Sequence, residues 1–258
     1  MLVSIFTRWK NEKLINLIEE LRLQTIKPKI RVFSDSFFDF PGIEIVYTQW
    51  KNISEKRNLA IDMAKEEDLL FLLDDDNKLG DNKFLEKMKN TYLEIFDKYG
   101  CCVISPLINW RTTDRIQSAG VYFSYFLGKV IVNRKVLWSY WDVRGIWWNS
   151  LFWYGRCFKK SKFDENIWYV REDLDYSYSL NEKWVKVFVI NQKIFHLERD
   201  KTRLEQSFLL WEAFNKKVRN RDIFVKKHGN FIQKIIYWLF WRWISLFYWK
   251  YLKIKFRK

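Results

Sequence analysis

Three consecutive carboxylates, Asp74–Asp76, directly follow an apolar run of five residues, Leu69–Leu73. Such a run is typical of a buried strand, so the carboxylates are expected at the edge of a sheet. Like charges at this spacing raise one another's pKa, and a divalent cation bound to the oxygens would relieve the repulsion. Mg²⁺ and Mn²⁺ favour such ligands and typically share their coordination with phosphate. The alternative is a solvated acidic loop that caps the next helix.

Two further polar residues could contact a bound anion or base. Asp35 ends a second apolar run, where it is either a turn or cap residue or a ligand-binding carboxylate. Arg57 lies in the polar segment Asn52–Asn58. Its planar guanidinium suits a diphosphate, and the alternative is an exposed arginine on a helix.

Acidic residues recur at Arg171–Asp175, and His196 follows an apolar segment after a short turn. One of these acids could act as a general base that removes a proton from an attacking hydroxyl, and the alternative is one solvated helix face. His196 is either a structural histidine or a metal ligand.

The elements that must position these residues alternate along the chain. Helical spacing is predicted for Leu14–Leu23, Leu59–Ala64 and Leu85–Phe96. Strands are predicted for Val3–Phe6, Ile30–Phe33, Ile43–Tyr47, Leu69–Leu73, Val103–Ser105 and Trp184–Ile190. This alternation predicts an α/β fold with a largely parallel sheet. Ligands of such sheets bind beyond the carboxyl ends of the strands, where Thr7, Arg8, Asp35 and Asp74–Asp76 all fall.

Taken in order, these segments resemble the inverting family-2 glycosyltransferases over roughly residues 2–200. On the donor side the resemblance lies in the opening Val3–Asn11, in Asp35, in Lys56-Arg57-Asn58 and in Leu72–Asp76, which is similar to an Asp-x-Asp motif. On the acceptor side it lies in Phe163-Asp164-Glu165 and in Glu172-Asp173-Leu174-Asp175. Ile116–Gly120 is similar to a segment of the rhamnosyltransferase-like branch. Two positions depart from the pattern, namely Arg171, where the family usually has glycine, and Thr7–Asn11, where it usually has Pro-x-Tyr-Asn.

The resemblance implies a GT-A fold, Rossmann-like with a mixed, mostly parallel sheet, and transfer of a sugar from a nucleotide-diphosphate donor with inversion. It implies Mn²⁺ or Mg²⁺ as cofactor. The implied metal ligands are Asp76 and His196, and the implied base is Asp173, with Glu172 second. The implied donor-binding residues are Thr7, Arg8, Asp35, Arg57, Asp74 and Asp75. An aspartate-based phosphatase of the HAD type is the other enzyme class, but there the motif ends the first strand.

The C-terminal residues differ from the rest of the chain. Residues 216–258 carry 13 Lys and Arg and one acid, and Phe231–Phe256 holds 11 aromatics. The first 215 residues, with 33 basic and 30 acidic side chains, are nearly neutral. We therefore expect a catalytic domain over 1–215 and a helical extension over 216–258. Tryptophan, tyrosine and lysine favour the headgroup region, which predicts that residues 231–256 lie on an anionic membrane surface.

Four alternatives remain for this extension and for the function. The helix could cross the membrane as a tilted span, or it could pack on the domain or on a second copy in a homodimer. Interleaved basic and aromatic residues also suit single-stranded nucleic acid, although no nucleic-acid-binding motif accompanies them. The chain could also be a non-catalytic relative of the GT-A enzymes.

Cysteines and the N-terminus bear on location. Cys101, Cys102 and Cys157 include no Cys-x-x-Cys pair, and the chain has two histidines, so neither a disulfide scaffold nor a Cys/His zinc site is expected. The N-terminus has no basic n-region with a long apolar stretch, so no signal peptide is expected. We expect a reducing, cytoplasmic setting with peripheral membrane association, and a glycan or lipid-linked acceptor.

Overall fold

The computed structural model describes residues 1–110, 113–124, 129–136, 138–146, 150–167, 172–197, 218–243 and 247. The chain divides into two compact units. The first comprises residues 1–121 and 132–200, and the second comprises residues 122–131 and 201–258. The predicted boundary between residues 215 and 216 lies outside the described residues and stays a prediction.

The first unit is built on a ten-stranded mixed sheet. Its strands are β1 (Leu2–Phe6), β2 (Lys29–Ser34), β3 (Glu44–Tyr47), β4 (Leu69–Asp74), β5 (Asn77–Leu79), β6 (Cys102–Trp110), β7 (Ile116–Ser118), β10 (Tyr140–Asp142), β11 (Leu151–Tyr154) and β12 (Lys186–His196). The order along the main path is β10-β12-β6-β11-β4-β1-β2-β3, with β5 on β12 and β7 on β6. Strands β4, β1, β2 and β3 are mutually parallel, as are β6 and β12. Two further strands, β8 (Val121–Ser124) and β9 (Lys129–Val132), pair with each other and belong almost entirely to the second unit.

The helices of this unit are α1 (Glu12–Arg22), α2 (Ile53–Met63), α3 (Phe84–Tyr99), α4 (Gly155–Phe158) and α5 (Glu172–Glu182). On α1 the apolar residues at helical spacing, Leu14, Leu17, Ile18 and Leu21, are all buried. Strand β1 is buried throughout, as is β4 up to Leu73, because both lie inside a sheet covered on two faces. The predicted α/β architecture with a mostly parallel sheet is therefore confirmed.

Several predictions need correction. The strand predicted to end at Ile190 runs to His196 through an irregularity between Ile190 and Lys193, so no turn precedes His196. The aromatic segment after Trp110 had no predicted strands, yet it supplies β11, which lies antiparallel between β4 and β6. Residues Glu172, Asp173 and Asp175 of α5 are buried, so they do not form a solvated face.

The cysteines also differ from expectation. Cys101 and Cys157 form a disulfide, and Cys102 is a buried free thiol. Strand β6 begins beside Cys101 and α4 contains Cys157, so the bond ties a strand start to a short helix. Cysteine usage therefore no longer supports the expected reducing compartment.

In the second unit, helix α6 (218–228) precedes α7 (Phe231–Ile236), which continues as a π-helical stretch, Tyr237–Arg242. Tyr237 is buried, and its hydroxyl joins the two helices by accepting from Arg221 Nε at 3.1 Å and donating to Asp222. Asn230 caps α7 through a reciprocal capping box with Gln233. None of the helices in the described part of the chain combines the length and the apolar character that a bilayer span requires.

Candidate active site

The carboxyl ends of the parallel strands bring most of the predicted residues to one edge of the sheet. Thr7 follows β1, Asp35 follows β2, Asp74 ends β4 and His196 ends β12. Helix α5 presents Glu172 and Asp173 to the same region through contacts with Arg57 of α2. The site is thus assembled from residues far apart in sequence.

Arg57 lies at the centre of this cluster. Its Nη1 donates to Asp173 at 2.9 Å and to Glu172 at 3.1 Å, and its Nη2 donates to Asp74 at 3.4 Å. The guanidinium is 1% exposed and lies over the rings of Phe6 and Phe163, at 5.9 and 5.3 Å from their centroids. We call Arg57, Asp74, Glu172 and Asp173 the Arg57 cluster. Arg57 is therefore not an exposed arginine, and its donors are directed at carboxylates rather than at an open diphosphate position.

Burial and neighbouring charges shift the pKa values of several groups in and beside the Arg57 cluster. Burial raises the pKa of Asp74 to about 7, an effect that Arg57 opposes and that the neighbouring Asp76 and Asp75 increase. Burial also raises the pKa of Asp75, against hydrogen bonds from Thr7 and Asn11. Burial acts to lower the pKa of Arg57, but the charges of Asp173, Asp74 and Glu172 outweigh it, so this pKa lies above its usual value. A cation or ligand donor bound here would favour the ionised form of Asp74.

Lys56, the neighbour of Arg57, holds Asp35 at the next strand end. Its Nζ lies 2.8 Å from Asp35 Oδ2 and donates to the carbonyl of Thr7 at 3.0 Å. The other oxygen, Oδ1, accepts from Thr48 Oγ1 at 2.7 Å and from the amide of Trp50 at 3.1 Å. A carboxylate has about four acceptor positions, so these three donors from described residues leave one at Oδ2.

Asp75 is held by the loop that follows β1. Thr7 Oγ1 donates to Asp75 Oδ2 at 2.6 Å, and Asn11 Nδ2 donates to the same oxygen at 2.7 Å. Asn11 Oδ1 also caps α1 by accepting from the amide of Leu14. Arg8, in the same loop, has an exposed side chain, and its carbonyl accepts from Ser34 Oγ at 3.4 Å. The structure therefore brings Thr7 and Asp75 together but does not place the Arg8 guanidinium in the cluster.

The two predicted metal ligands are neighbours. His196 Nε2 and Asp76 Oδ2 are 3.1 Å apart, with side chains 6% and 31% exposed, and the Leu197 amide donates to the carbonyl of Asp76. No group of three or more His, Cys, Asp or Glu side chains suited to a metal ion occurs among the described residues. One carboxylate and one imidazole nevertheless fit a Mn²⁺ or Mg²⁺ site that is completed by phosphate oxygens and water.

Asn58 completes a row of three consecutive polar residues on α2 that are all buried. It exchanges hydrogen bonds with the backbone of Phe163, at 2.8 and 3.0 Å, and donates to Glu165 Oε1 at 2.9 Å. The segment that leads toward α5 is therefore fastened to α2. Arg171, the position that departs from the family pattern, lies outside the described residues.

The chain is similar in fold to several solved structures. GalNAc-T7, solved with UDP, GalNAc and Mn²⁺, matches 78% of this chain at 13% identity, with a TM-score of 0.63. A mannosyltransferase from Pyrobaculum calidifontis, solved with GDP-Man and Mn²⁺, matches 84% of this chain at 12% identity, with a TM-score of 0.53. Residues 1–349 of S. aureus TarS match 93% of this chain at 12% identity, with a TM-score of 0.52. The chain has a GT-A glycosyltransferase fold.

The similarity extends over only part of those proteins. The chain spans 43% of the GalNAc-T7 chain, 64% of the mannosyltransferase chain and 72% of the TarS fragment. No protein-family model matches the sequence, and no curated protein sequence matches it either.

Sequence reasoning missed Lys56, Asn58 and Thr48 as residues that position the site. One signal could have indicated the first two, namely three polar residues in succession on a helix that packs against a sheet. An amphipathic helix should turn only one of three successive residues toward its neighbours. All three are buried here because Lys56, Arg57 and Asn58 each contact a different segment of the site.

Proposed function

We propose that this chain is an inverting, metal-dependent glycosyltransferase that moves a sugar from a nucleoside-diphosphate donor to an acceptor hydroxyl. The observation that carries the proposal is the Arg57 cluster beside the Asp76–His196 pair. The proposal is supported because Asp173, the candidate base, and the candidate metal pair lie near one edge of a GT-A sheet. The fold alone would not justify an activity, because one fold supports many functions.

Each residue has a role in this proposal. Asp76 and His196 would hold Mn²⁺ or Mg²⁺, and the bound cation supplies Lewis acidity to the departing diphosphate. Thr7 and Asn11 orient Asp75, while Arg57 orients Asp74 toward the donor side. Asp173 accepts the proton of the acceptor hydroxyl as its oxygen bonds to the anomeric carbon and the nucleoside diphosphate leaves from the opposite face. One such displacement inverts the anomeric configuration.

Glu172 is the second candidate for the base. Its Oε1 accepts from Arg57, and its Oε2 is buried with no hydrogen-bond partner among the described residues. A buried acceptor without a donor is costly, so a ligand hydroxyl or amide could satisfy it. We assign the proton transfer to Asp173 because the resemblance of Glu172-Asp173-Leu174-Asp175 to the acceptor-side pattern of the family-2 enzymes implies it.

The test of the proposal is calorimetric titration of UDP, GDP and dTDP, each with and without Mn²⁺. Metal-dependent binding of at least one nucleotide is expected, and transfer to a glycan or lipid-linked hydroxyl should give product of inverted anomeric configuration by NMR. Nucleotide binding without turnover on any acceptor would favour a non-catalytic relative. Absence of binding to all three would contradict the proposal.

Replacement of Asp76 by alanine is expected to weaken Mn²⁺-dependent nucleotide binding by at least about 10- to 100-fold, the range for losses in a metal's outer contacts. His196→Ala should act in the same direction, since the two side chains are neighbours. Titration calorimetry measures both. Asp142→Ala serves as the control, because Asp142 is an exposed carboxylate on β10 paired with Lys186. Unchanged affinity in Asp76→Ala would remove Asp76 from the metal site.

We also propose that the C-terminal extension binds an anionic membrane surface. Exposed apolar side chains recur from α7 through its continuation to Trp243, at Phe231, Ile232, Ile235, Leu239 and Trp243. We call these residues the apolar ridge. Their spacing keeps them near one side of a helix, and residues 216–258 carry a large positive charge. An amphipathic aromatic helix of this charge suits the headgroup region of anionic lipids.

The double substitution Leu239→Glu with Trp243→Glu is expected to abolish cosedimentation with vesicles that contain phosphatidylserine. Both side chains are about 60% exposed, at 62% and 60%, so the folded unit should tolerate the change. Trp184→Glu is the control, since Trp184 is exposed but lies in the first unit. Vesicle binding that survives the double substitution would contradict the membrane proposal, and concentration-dependent dimers or tight binding of single-stranded RNA would favour the alternatives.

A further inference from the structure

Lys13 lies at a place where a cation is unfavourable. It belongs to the first turn of α1, directly after Glu12 and two residues after the N-cap, Asn11. The amides at a helix N-terminus carry a partial positive charge, so acidic side chains are stabilising there and basic ones are destabilising. Glu12 follows this rule and Lys13 departs from it, which indicates that the ammonium makes a compensating contact elsewhere.

That contact is made with the end of β12. Lys13 Nζ donates to the carbonyl of Leu197, 184 residues away in the sequence, and the lysine is half-buried. Both residues line a cleft between α1 and β5. A lysine that is held in one geometry loses side-chain entropy, so this contact differs from that of a freely solvated lysine. The first turn of α1 is thereby joined to the residue that follows His196.

Leu197 fixes the end of β12 beside the carboxylate turn. Its amide donates to the carbonyl of Asp76 at 2.7 Å, while its carbonyl accepts from Lys13. His196 pairs with Asn77 of β5. Its Nε2 lies 3.1 Å from Asp76 Oδ2, so the position of Leu197 bears directly on the separation of the two candidate metal ligands.

Electrostatics alone would disfavour a lysine at this edge of the sheet. An ammonium repels a divalent cation held by Asp76 and His196. Lys13 does act on the carboxylates here, because burial raises the pKa of Asp75 and the charge of Lys13 is among the effects that oppose this rise. Anchoring of the strand end favours metal binding, whereas charge repulsion opposes it. The two effects therefore have opposite signs in a measurement of metal affinity.

The geometry points to Lys13 as a positioning residue for the metal site, which anchors the end of β12 to α1 and so keeps the His196 imidazole beside Asp76. This inference rests on the proposed function and adds to it a residue that does not touch the metal. Groups that orient metal ligands from outside the coordination sphere typically contribute about 10- to 100-fold to metal affinity. Lys13 exerts its effect through the backbone of Leu197.

The test is titration of the full chain with Mn²⁺, in which electron paramagnetic resonance measures the free aqueous ion. Lys13→Met removes the ammonium and keeps most of the apolar side chain, and it is expected to weaken Mn²⁺ binding by about 10- to 100-fold. Lys13→Arg should restore most of the affinity, because a guanidinium also donates to a carbonyl. Loss of a positive charge without loss of an anchor would instead tighten Mn²⁺ binding.

Lys78→Met is the matched control. Lys78 is an exposed residue of β5 that lines the same cleft as Lys13, so the control removes an equal charge from the same place. Its Mn²⁺ affinity should equal that of the wild type or slightly exceed it. Circular dichroism determines the folded fraction of each variant, and affinities are compared per folded chain. If Lys13→Met does not fold, Lys13→Gln, which is shorter and uncharged, replaces it with the same expected loss.

The outcomes separate this inference from the proposed function. Unchanged or tighter Mn²⁺ binding in Lys13→Met would overturn the role of Lys13 and leave the transferase proposal standing. Equal losses in Lys13→Met and Lys13→Arg would overturn it too, because a donor at this position would then not restore the site. Unchanged Mn²⁺ affinity with weaker binding of inorganic pyrophosphate would place the ammonium on the diphosphate instead. Failure of the wild-type chain to bind Mn²⁺, alone and with UDP, GDP or dTDP, would overturn both.

Discussion

Replacement of Asp173 by asparagine is expected to lower kcat for sugar transfer by about 100- to 10,000-fold, the usual contribution of a general base. Asparagine has nearly the same shape and can still accept from Arg57 Nη1, so the Arg57 cluster should keep its geometry. It cannot take a proton from the acceptor hydroxyl. Nucleotide affinity should stay near that of the wild type, because the role proposed for Asp173 is at the acceptor hydroxyl. Steady-state kinetics together with calorimetry measures both quantities.

Two variants make this prediction specific. Glu172→Gln removes the neighbouring carboxylate of the same cluster and is expected to lower kcat much less than Asp173→Asn. Asp142→Asn changes an exposed carboxylate on β10 and should behave as the wild type. Turnover that survives Asp173→Asn and collapses in Glu172→Gln would transfer the role of base to Glu172. Turnover that survives both would remove α5 from the chemistry.

The parallel half of the sheet could be predicted because its signals are local. Strands β1, β2 and β4 are short apolar runs that stop at polar residues, and α1 repeats its apolar residues at helical spacing. These patterns also fix the edge at which Asp35 and Asp74 must lie, since parallel strands end on one side. The positions of Asp35 and Asp74 in the candidate site were therefore accessible from strand ends alone.

The rest depended on contacts between distant segments. Strand β11 lies between two buried strands, β4 and β6, so its residues do not alternate between polar and apolar. Periodicity therefore could not separate it from the surrounding aromatic sequence. The continuation of β12 to His196 could not be predicted, because Asn191–Lys193 are exposed or half-buried polar residues where the strand pairing is irregular. Neither feature follows from a window of neighbouring residues.

Arg57 shows the same limit at the site. In sequence it stands among polar residues and resembles an exposed helical arginine, whereas in the fold it is among the largest fully buried side chains. Its partners, Asp74 and Glu172–Asp173, are 17 and 115–116 residues away. Arg57 can be buried because these carboxylates compensate its charge, and they come together only when the sheet has formed.

That balance makes Arg57→Met the substitution with the largest expected effect on stability. Removal of one partner from a buried ionic group typically costs about 3–5 kcal/mol, because the remaining charges lose their counter-ion. Asp74, Glu172 and Asp173 share this one guanidinium, so we expect a loss of this size in the free energy of unfolding. Chemical denaturation measures it, and thermal unfolding should show a fall of roughly 6–20 °C in Tm.

A second substitution on α2 that also removes a buried cation can separate a structural role of Arg57 from a positioning role. Lys56→Met also removes a buried cation, from Asp35 rather than from the Arg57 cluster, and should destabilise the fold by a similar mechanism. If Arg57 orients Asp173, Arg57→Met should lower kcat in the fraction that remains folded, whereas Lys56→Met should mainly weaken nucleotide binding. Arg57→Lys keeps the charge, but a single ammonium cannot reproduce the fork that reaches three carboxylates, so kcat should recover only in part. Equal effects of Arg57→Met and Lys56→Met on kcat and on nucleotide affinity would reduce Arg57 to a stabilising ion pair.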